Sequence, residues 1–142
     1  MIEVYSDGSH SNPINYTKPL KTKGSVVIYQ DNILLLTTSV EGISGWSDVA
    51  EYVGIKLGLE KLIELGLQDN EIRWYNDNQF VMNYMQQRRT GKSTKDYYTL
   101  SIECLKLAQL FKNLRFNWIP REENTFADAI SKLSPSYRAV KG

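Results

Sequence analysis

The chain opens with three β-prone runs and no helical pattern between them, then alternates helix and strand to its end, and this order restricts the fold more than any other feature. Residues 2–6 alternate Ile2, Val4 and Ser6 with Glu3 and Tyr5, as a half-buried strand does. Residues 9–22 are polar, hold Asn12-Pro13 and Lys18-Pro19, and read as a loop. Two further β runs, 25–29 and 33–38, are joined by Gln30-Asp31-Asn32, a hairpin signal. Ser47 or Asp48 can cap a helix reaching about Leu65, with Gly66 as its stop. A strand at 71–76, a shorter helix to about Gln86, a helix at 96–112, a strand at 115–119 and a terminal helix through Asp128 complete the series. Strands joined by helical crossovers run parallel, while the opening hairpins are antiparallel. The order βββαβαβα therefore predicts an α/β protein with a five-stranded mixed sheet and helices packed on it.

At 142 residues the chain is expected to form one domain, 1–142, with about 135–142 as a short C-terminal tail. Glu3 and Asp7 stand where a signal peptide needs basic residues, and no apolar run approaches the length of a membrane helix, so a cytoplasmic protein is expected. The single cysteine, Cys104, excludes an internal disulfide and a cysteine-based metal cage. It lines up with Leu100, Leu107 and Phe111 at helical spacing, as a core thiol does. Gly54 and Gly58 sit one turn apart inside the first helix and lower its propensity, which predicts close packing against a neighbouring element. Trp74 and Trp118 fall in strands and are expected in the core; Trp46, beside the first helix, is expected as core or as a wedge in a loop.

Four carboxylates occupy the margins of these elements. Asp7 closes the first strand and Asp77 the fourth, Glu51 ends the inward stripe of the first helix (Tyr52, Ile55, Leu59, Leu62, Ile63), and Asp128 lies in the first turns of the terminal helix. Taken singly, each reads more simply as a turn residue, a cap or a solvated charge. If they converge they repel one another at neutral pH unless a multivalent cation joins them. Oxygen-only donors without nearby Cys or His suit a hard ion, so magnesium, with manganese as its substitute, is the expected partner, as a pair of ions suited to phosphodiester attack. Two acid-free basic clusters, Lys18, Lys21 and Lys23, and Arg88, Arg89, Lys92 and Lys95, could meet phosphates.

The order of elements, with Tyr5-Ser6-Asp7-Gly8-Ser9, Ala50-Glu51-Tyr52 with Gly58-Leu59-Glu60, Tyr75-Asn76-Asp77-Asn78-Gln79, and Trp118-Ile119-Pro120-Arg121-Glu122-Glu123-Asn124 before Ala127-Asp128-Ala129, resembles the type 1 ribonuclease H family, its reverse-transcriptase-like and archaeal branch. The resemblance covers about residues 1–134. It implies the ribonuclease H-like fold, helices on both faces of the sheet, and an endonuclease that hydrolyses the RNA strand of RNA/DNA hybrids with two Mg2+ ions, leaving 5′-phosphate and 3′-hydroxyl ends. Carried over by motif, Asp7 would bridge the ions, Glu51 and Asp77 would complete one site and Asp128 the other. Nucleic-acid contacts would fall to Ser9, Ser47, Asp48, Asn78, Arg88, Arg89, Lys92 and Lys95, with no membrane and no obligate protein partner.

Three departures bear on substrate choice. Trp46-Ser47-Asp48 stands where the family often has Thr-Asn-Asn, and Asp48 cannot donate as an amide does. The histidine many members carry before the last helix is absent; His10, Arg121 and Glu123 are the auxiliary candidates. The loop after Asp7 is longer than the family's usual turn. The rival readings are a related nuclease acting on double-stranded RNA or RNA–DNA junctions, and a non-catalytic binding module of the same fold.

Overall fold

The structure, a computed structural model, describes residues 1–10, 21–42, 47–87, 98–125 and 137–139. Its strands are β1 (Ile2–His10), β2 (Thr22–Gln30), β3 (Ile33–Glu41), β4 (Glu71–Asn76), β5 (Asn113–Trp118) and β6 (Tyr137–Ala139). Its helices are α1 (Ser47–Glu64), α2 (Gln79–Gln87) and α3 (Tyr98–Ala108), with a 3-10 turn at Arg121–Glu123. The strands form one sheet in the order β5-β4-β1-β2-β3-β6. The β1–β2 and β2–β3 pairs are antiparallel and the β1–β4 and β4–β5 pairs parallel, which is the predicted mixed sheet. The sixth strand lies antiparallel on β3, where the sequence reads only a tail; three residues are too few to carry a periodic signal. Asp31 and Asn32 both adopt positive φ, 50° and 67°, the left-handed pair that a two-residue hairpin turn between β2 and β3 requires.

Alternation along the strands sorts the residues onto two faces. Ile2 and Val4, Val26 and Ile28, Ile72 and Trp74, and Leu114 and Phe116 are buried in one cluster with Tyr52, Ile55, Leu59 and Leu62 of α1. Val81, Met82 and Met85 of α2 and Cys104, Leu105 and Ala108 of α3 close it. Each such side chain contributes about 1.5–3 kcal/mol by leaving water. On the other face a smaller cluster gathers Val27 with Tyr5, Tyr29 and Leu34. Thr125, the first residue of a helix, borders that face beside Tyr5, Val27 and Tyr29. The rest of the predicted terminal helix lies outside the described residues.

Helix α1 lies against the sheet with main chain on main chain. A Cβ on Gly24 would overlap the backbone of Val53 and Gly54, one on Gly54 would crowd the carbonyl of Asp7, and one on Gly58 would enter the ring of Trp74. Gly54 and Gly58 thus have the close packing expected for helical glycines at those positions.

Three expectations need correction. Strand β1 does not stop at Asp7: it continues beside β2 to His10, because antiparallel pairing (Asp7↔Ser25 to His10↔Thr22) supplies hydrogen bonds that the polar run 7–10 does not advertise. Helix α3 ends at Ala108, so residues 109–112 form a turn and not the last turn of the helix, and strand β5 starts two residues earlier than expected, at Asn113. Trp118 is 47% exposed, so it is not a core residue; it is the last residue of β5.

Candidate active site

Three of the four acids converge. Parallel pairing of β1 with β4 ends at Tyr5↔Tyr75, and Asp7 and Asp77 each stand two residues beyond that last pair. The two strands part there, which leaves room for side chains between them. Helix α1 brings the third acid: a Cβ on Gly8 would overlap the Ala50 carbonyl carbon and the Glu51 amide, so the lack of one lets the first turns of α1 rest on the end of β1. One carboxylate oxygen from each of Asp7, Glu51 and Asp77 lies within 4.8 Å of the others.

The cluster is withdrawn from solvent and lacks a buried counter-charge among the described residues. Asp7 and Glu51 are each 4% exposed, and the Asp77 side chain is 10% exposed. Burial pushes the Glu51 carboxyl well above the usual carboxylate range; the charges of Asp7 and Asp77 and a hydrogen bond with Asp7 push the same way, and the Gly8 amide opposes them weakly. Glu51 Oε1 is buried and has no hydrogen-bond partner. The Nε of Arg121 stands 3.9 Å from Asp77 Oδ2, but that side chain is 84% exposed and does little to offset three acids. An all-oxygen donor set, crowded and desolvated, fits a hard divalent cation.

A hydrogen-bond network beneath the acids fixes the strand ends. The buried Ser6 carbonyl accepts from Asn76 Nδ2 at 2.8 Å and from Asn124 Nδ2 at 2.9 Å. The Ser6 hydroxyl accepts from Trp74 Nε1 at 2.8 Å and from Asn76 Nδ2 at 3.1 Å. Asn76 Oδ1 in turn accepts the Asn78 amide at 2.7 Å, and Asn78 Oδ1 caps α2 through the Val81 amide at 3.0 Å. Asp7 and Asp77 are thus the neighbours of two residues joined to each other. Ser6 and Asn76, polar residues at inward strand positions, and Asn124, the residue that ends the 3-10 turn, support the acids in a way the sequence reading missed; buried polar strand positions were the available signal for the first two.

The remaining candidates are scattered. Asn78 spends its side chain on the cap and on Asp48, donating to Asp48 Oδ1 at 3.2 Å, so this pair joins α1 to the β4–α2 turn. Ser9 is half-buried in β1 opposite Lys23. Glu123 is exposed in the 3-10 turn, and with Glu3 it borders a cavity beside Tyr5, whose phenol is pushed up by burial and then by Glu3, the neighbouring tyrosines and Glu123. His10 and Ser47 are described in backbone only. Asp128, Arg88, Arg89, Lys92, Lys95, Lys18 and Trp46 lie outside the described residues. Cys104 is buried, donates to the Tyr52 carbonyl at 3.5 Å, and has its thiol pushed far up by burial, as an inert core residue should.

Comparison with known proteins agrees with this arrangement. Residues 18–134 match the family described as reverse transcriptase-like. The bifunctional protein Rv2228c of Mycobacterium tuberculosis is 30% identical over 109 residues, 76% of this chain and 29% of that protein. The chain thus spans 29% of the length of the curated relatives it matches. Among solved structures, RNase H1 of the halophilic archaeon Halobacterium salinarum superposes with a TM-score of 0.75 at 20% identity, over 92% of this chain and 93% of that one. LC11-RNase H1, isolated from compost by a metagenomic approach, gives 0.73 at 29% identity over 91% of each chain, and it is also known in complex with an RNA/DNA hybrid. With a matching family, a shared fold and three acids gathered at the fork between β1 and β4, the chain belongs to the reverse transcriptase-like family and has the fold of the type 1 RNase H1 structures.

Proposed function

We propose that this chain, as a single domain over residues 1–142, is an endoribonuclease that hydrolyses the RNA strand of RNA/DNA hybrids with two divalent ions. The ions would be magnesium, with manganese able to substitute, and the products would carry 5′-phosphate and 3′-hydroxyl ends. The observation that carries this reading is the buried trio Asp7, Glu51 and Asp77, whose crowded carboxylates repel one another and would be relieved by a bound divalent cation. The hybrid complex of LC11-RNase H1 supports the substrate.

In this reading Asp7, Glu51, Asp77 and Asp128 would hold the ions, Asp7 as a ligand common to both, Glu51 and Asp77 for one and Asp128 for the other. Bound divalent ions would supply an activated water and charge stabilisation at the leaving oxygen. The protein's share is placement. The Ser6–Asn76 network holds Asp7 and Asp77 at fixed separation, and the Gly8 contact holds Glu51 against them. Burial keeps competing water away from the carboxylates. Arg121, exposed and close to Asp77, is positioned to meet a phosphate arriving from solvent. Recognition of the hybrid would rest on its minor groove and the RNA 2′-hydroxyls, without extensive sequence reading.

The experiment is a substrate panel: hybrid duplex, double-stranded RNA and RNA–DNA junctions, each with magnesium or manganese. Endonucleolytic cleavage of the RNA strand of the hybrid is the expected result. Absence of cleavage on all three substrates with either metal would overturn the enzyme reading, and cleavage of double-stranded RNA or junctions alone would replace the substrate.

A further inference from the structure

The side chain of Trp118 is unusual in being large, apolar, half open to water and yet fixed. Leu114 and Phe116 precede it on the same side of β5 and are buried against α2, but Trp118 is 47% exposed at the strand's end. Its indole Nε1–H donates to the main-chain carbonyl of Asp77 at 3.1 Å, and the next residue's amide, Ile119, donates to the Asn76 carbonyl at 3.0 Å. The ring therefore cannot swing freely: its polar edge is tied to a residue of the acidic trio. Its exposed surface lies at the same end of the sheet as the acids. Arg121, three residues on, is 84% exposed and lies 3.9 Å from the Asp77 carboxylate. A fixed aromatic surface and a guanidinium thus flank one acid of the metal-binding trio.

A tryptophan buried on one side and hydrogen-bonded at its edge gives up little freedom when a flat group lies on its remaining face. Nucleobases are flat, and every base has a π-face, so stacking on an aromatic side chain is tolerant of sequence. The cation beside it suits the phosphate that accompanies a base. The indole edge is bonded to the Asp77 carbonyl and Arg121 lies 3.9 Å from the Asp77 carboxylate, so charged groups border this spot, which suits a nucleotide better than an apolar protein surface.

We infer that Trp118 is a substrate-binding residue: its exposed indole face stacks on one nucleobase or sugar of the bound nucleic acid next to the phosphate that divalent ions at Asp7, Glu51 and Asp77 would hold. The inference rests on the nucleic-acid reading of the site given above. It predicts a subsite that holds one nucleotide without reading its identity.

The test compares wild type, Trp118→Ala and Trp118→Phe on one hybrid duplex, with KM and kcat measured separately. Binding is read independently by fluorescence anisotropy of labelled hybrid in calcium. A set of hybrids, each with one abasic position near the cleavage site, completes the design. Trp118→Ala should raise KM and weaken calcium-supported binding about tenfold, with kcat within about twofold, whereas Trp118→Phe, which keeps an aromatic face but loses the indole donor, should stay within about threefold of wild type in KM. One abasic position should weaken binding by wild type and have no effect on Trp118→Ala. If the indole only steadied Asp77, both variants would lower kcat alike and leave the abasic profile of wild type flat, which would overturn the inference. KM unchanged in Trp118→Ala would overturn it as well. Failure of wild type to bind or cleave the hybrid would instead strike the proposed function, so the two failures are told apart by the wild-type arm.

Discussion

The side-chain amide of Asn124 donates to the main-chain carbonyl of Ser6 at 2.9 Å, joining residues 118 positions apart directly beneath the acidic cluster. The same carbonyl accepts Asn76 at 2.8 Å, so three separate segments meet on one oxygen.

Asn76 is the member of this network with most to lose. Replacing it with alanine strips partners from the Ser6 hydroxyl and carbonyl and from the Asn78 amide, and each buried polar group left short costs about 1–3 kcal/mol. Urea unfolding of Asn76→Ala should show a loss of about 3 kcal/mol, and cleavage should fall with it because Asp77 follows directly in the chain. A loss below about 0.5 kcal/mol would mean that the network is not formed in solution.

Gly8→Ala should damage the site through the helix. Its methyl would overlap the Ala50–Glu51 backbone, pushing α1 away from β1, and overpacking of this kind costs about 1–3 kcal/mol. Calorimetric titration should show weaker magnesium binding than wild type even where the variant remains folded. Unaltered affinity would separate the glycine contact from the placement of Glu51.

Glu51 makes stability depend on pH in a predictable direction. An acid whose pKa is raised on folding keeps its proton more firmly in the folded state, so its contribution is fully present below the ordinary carboxylate range and is lost as pH rises through the raised value. In metal-free buffer, Glu51→Gln should therefore flatten the decline of melting temperature between acidic and neutral pH and melt a few degrees above wild type at pH 7. Magnesium should reverse the order, since saturation at about 100 times the dissociation constant adds about 2.7 kcal/mol to a protein that retains its ligands. Melting curves at several pH values, with magnesium or a chelator, check both signs.

Asp7→Asn and Asp77→Asn should abolish cleavage while the fold persists, because each removes a proposed metal ligand and also relieves repulsion within the trio. Activity should fall further than the roughly 10–100-fold that loss of an outer partner of a metal ligand costs. Thermal melts of the metal-free variants should match or exceed wild type. Cleavage persisting within tenfold of wild type would remove these residues from the chemistry.

The course of the chain and the three acids were legible because they rest on local pattern. Strand alternation, the Gly66 stop and the inward stripe of α1 all act over a few residues, and they placed Asp7, Glu51 and Asp77 at element margins. What escaped depends on contacts between distant segments. The extension of β1 to His10 is imposed by its partner β2, and nothing in Asp7-Gly8-Ser9-His10 announces a strand. The Ser6 network joins side chains 70 and 118 positions apart, and a serine or asparagine at an inward position does not name its partner. Trp118 fitted the core side of its strand by alternation, but β5 outruns the helix that covers it, and its last side chain emerges.

The meeting of Gly24 with Gly54, backbone against backbone, has a consequence for how such a protein can diverge. Where two elements touch through side chains, each substitution shifts their separation a little, and a lineage drifts in geometry as it drifts in sequence. Here the separation of α1 from the sheet is set by atoms that every residue shares, so the carboxylates carried on each keep their spacing while most of the surrounding surface is replaced. Two folds can then superpose with a TM-score of 0.75 while only 20% of their residues agree. The few positions denied that freedom would be glycines, which no inspection of charged or nucleophilic side chains would single out.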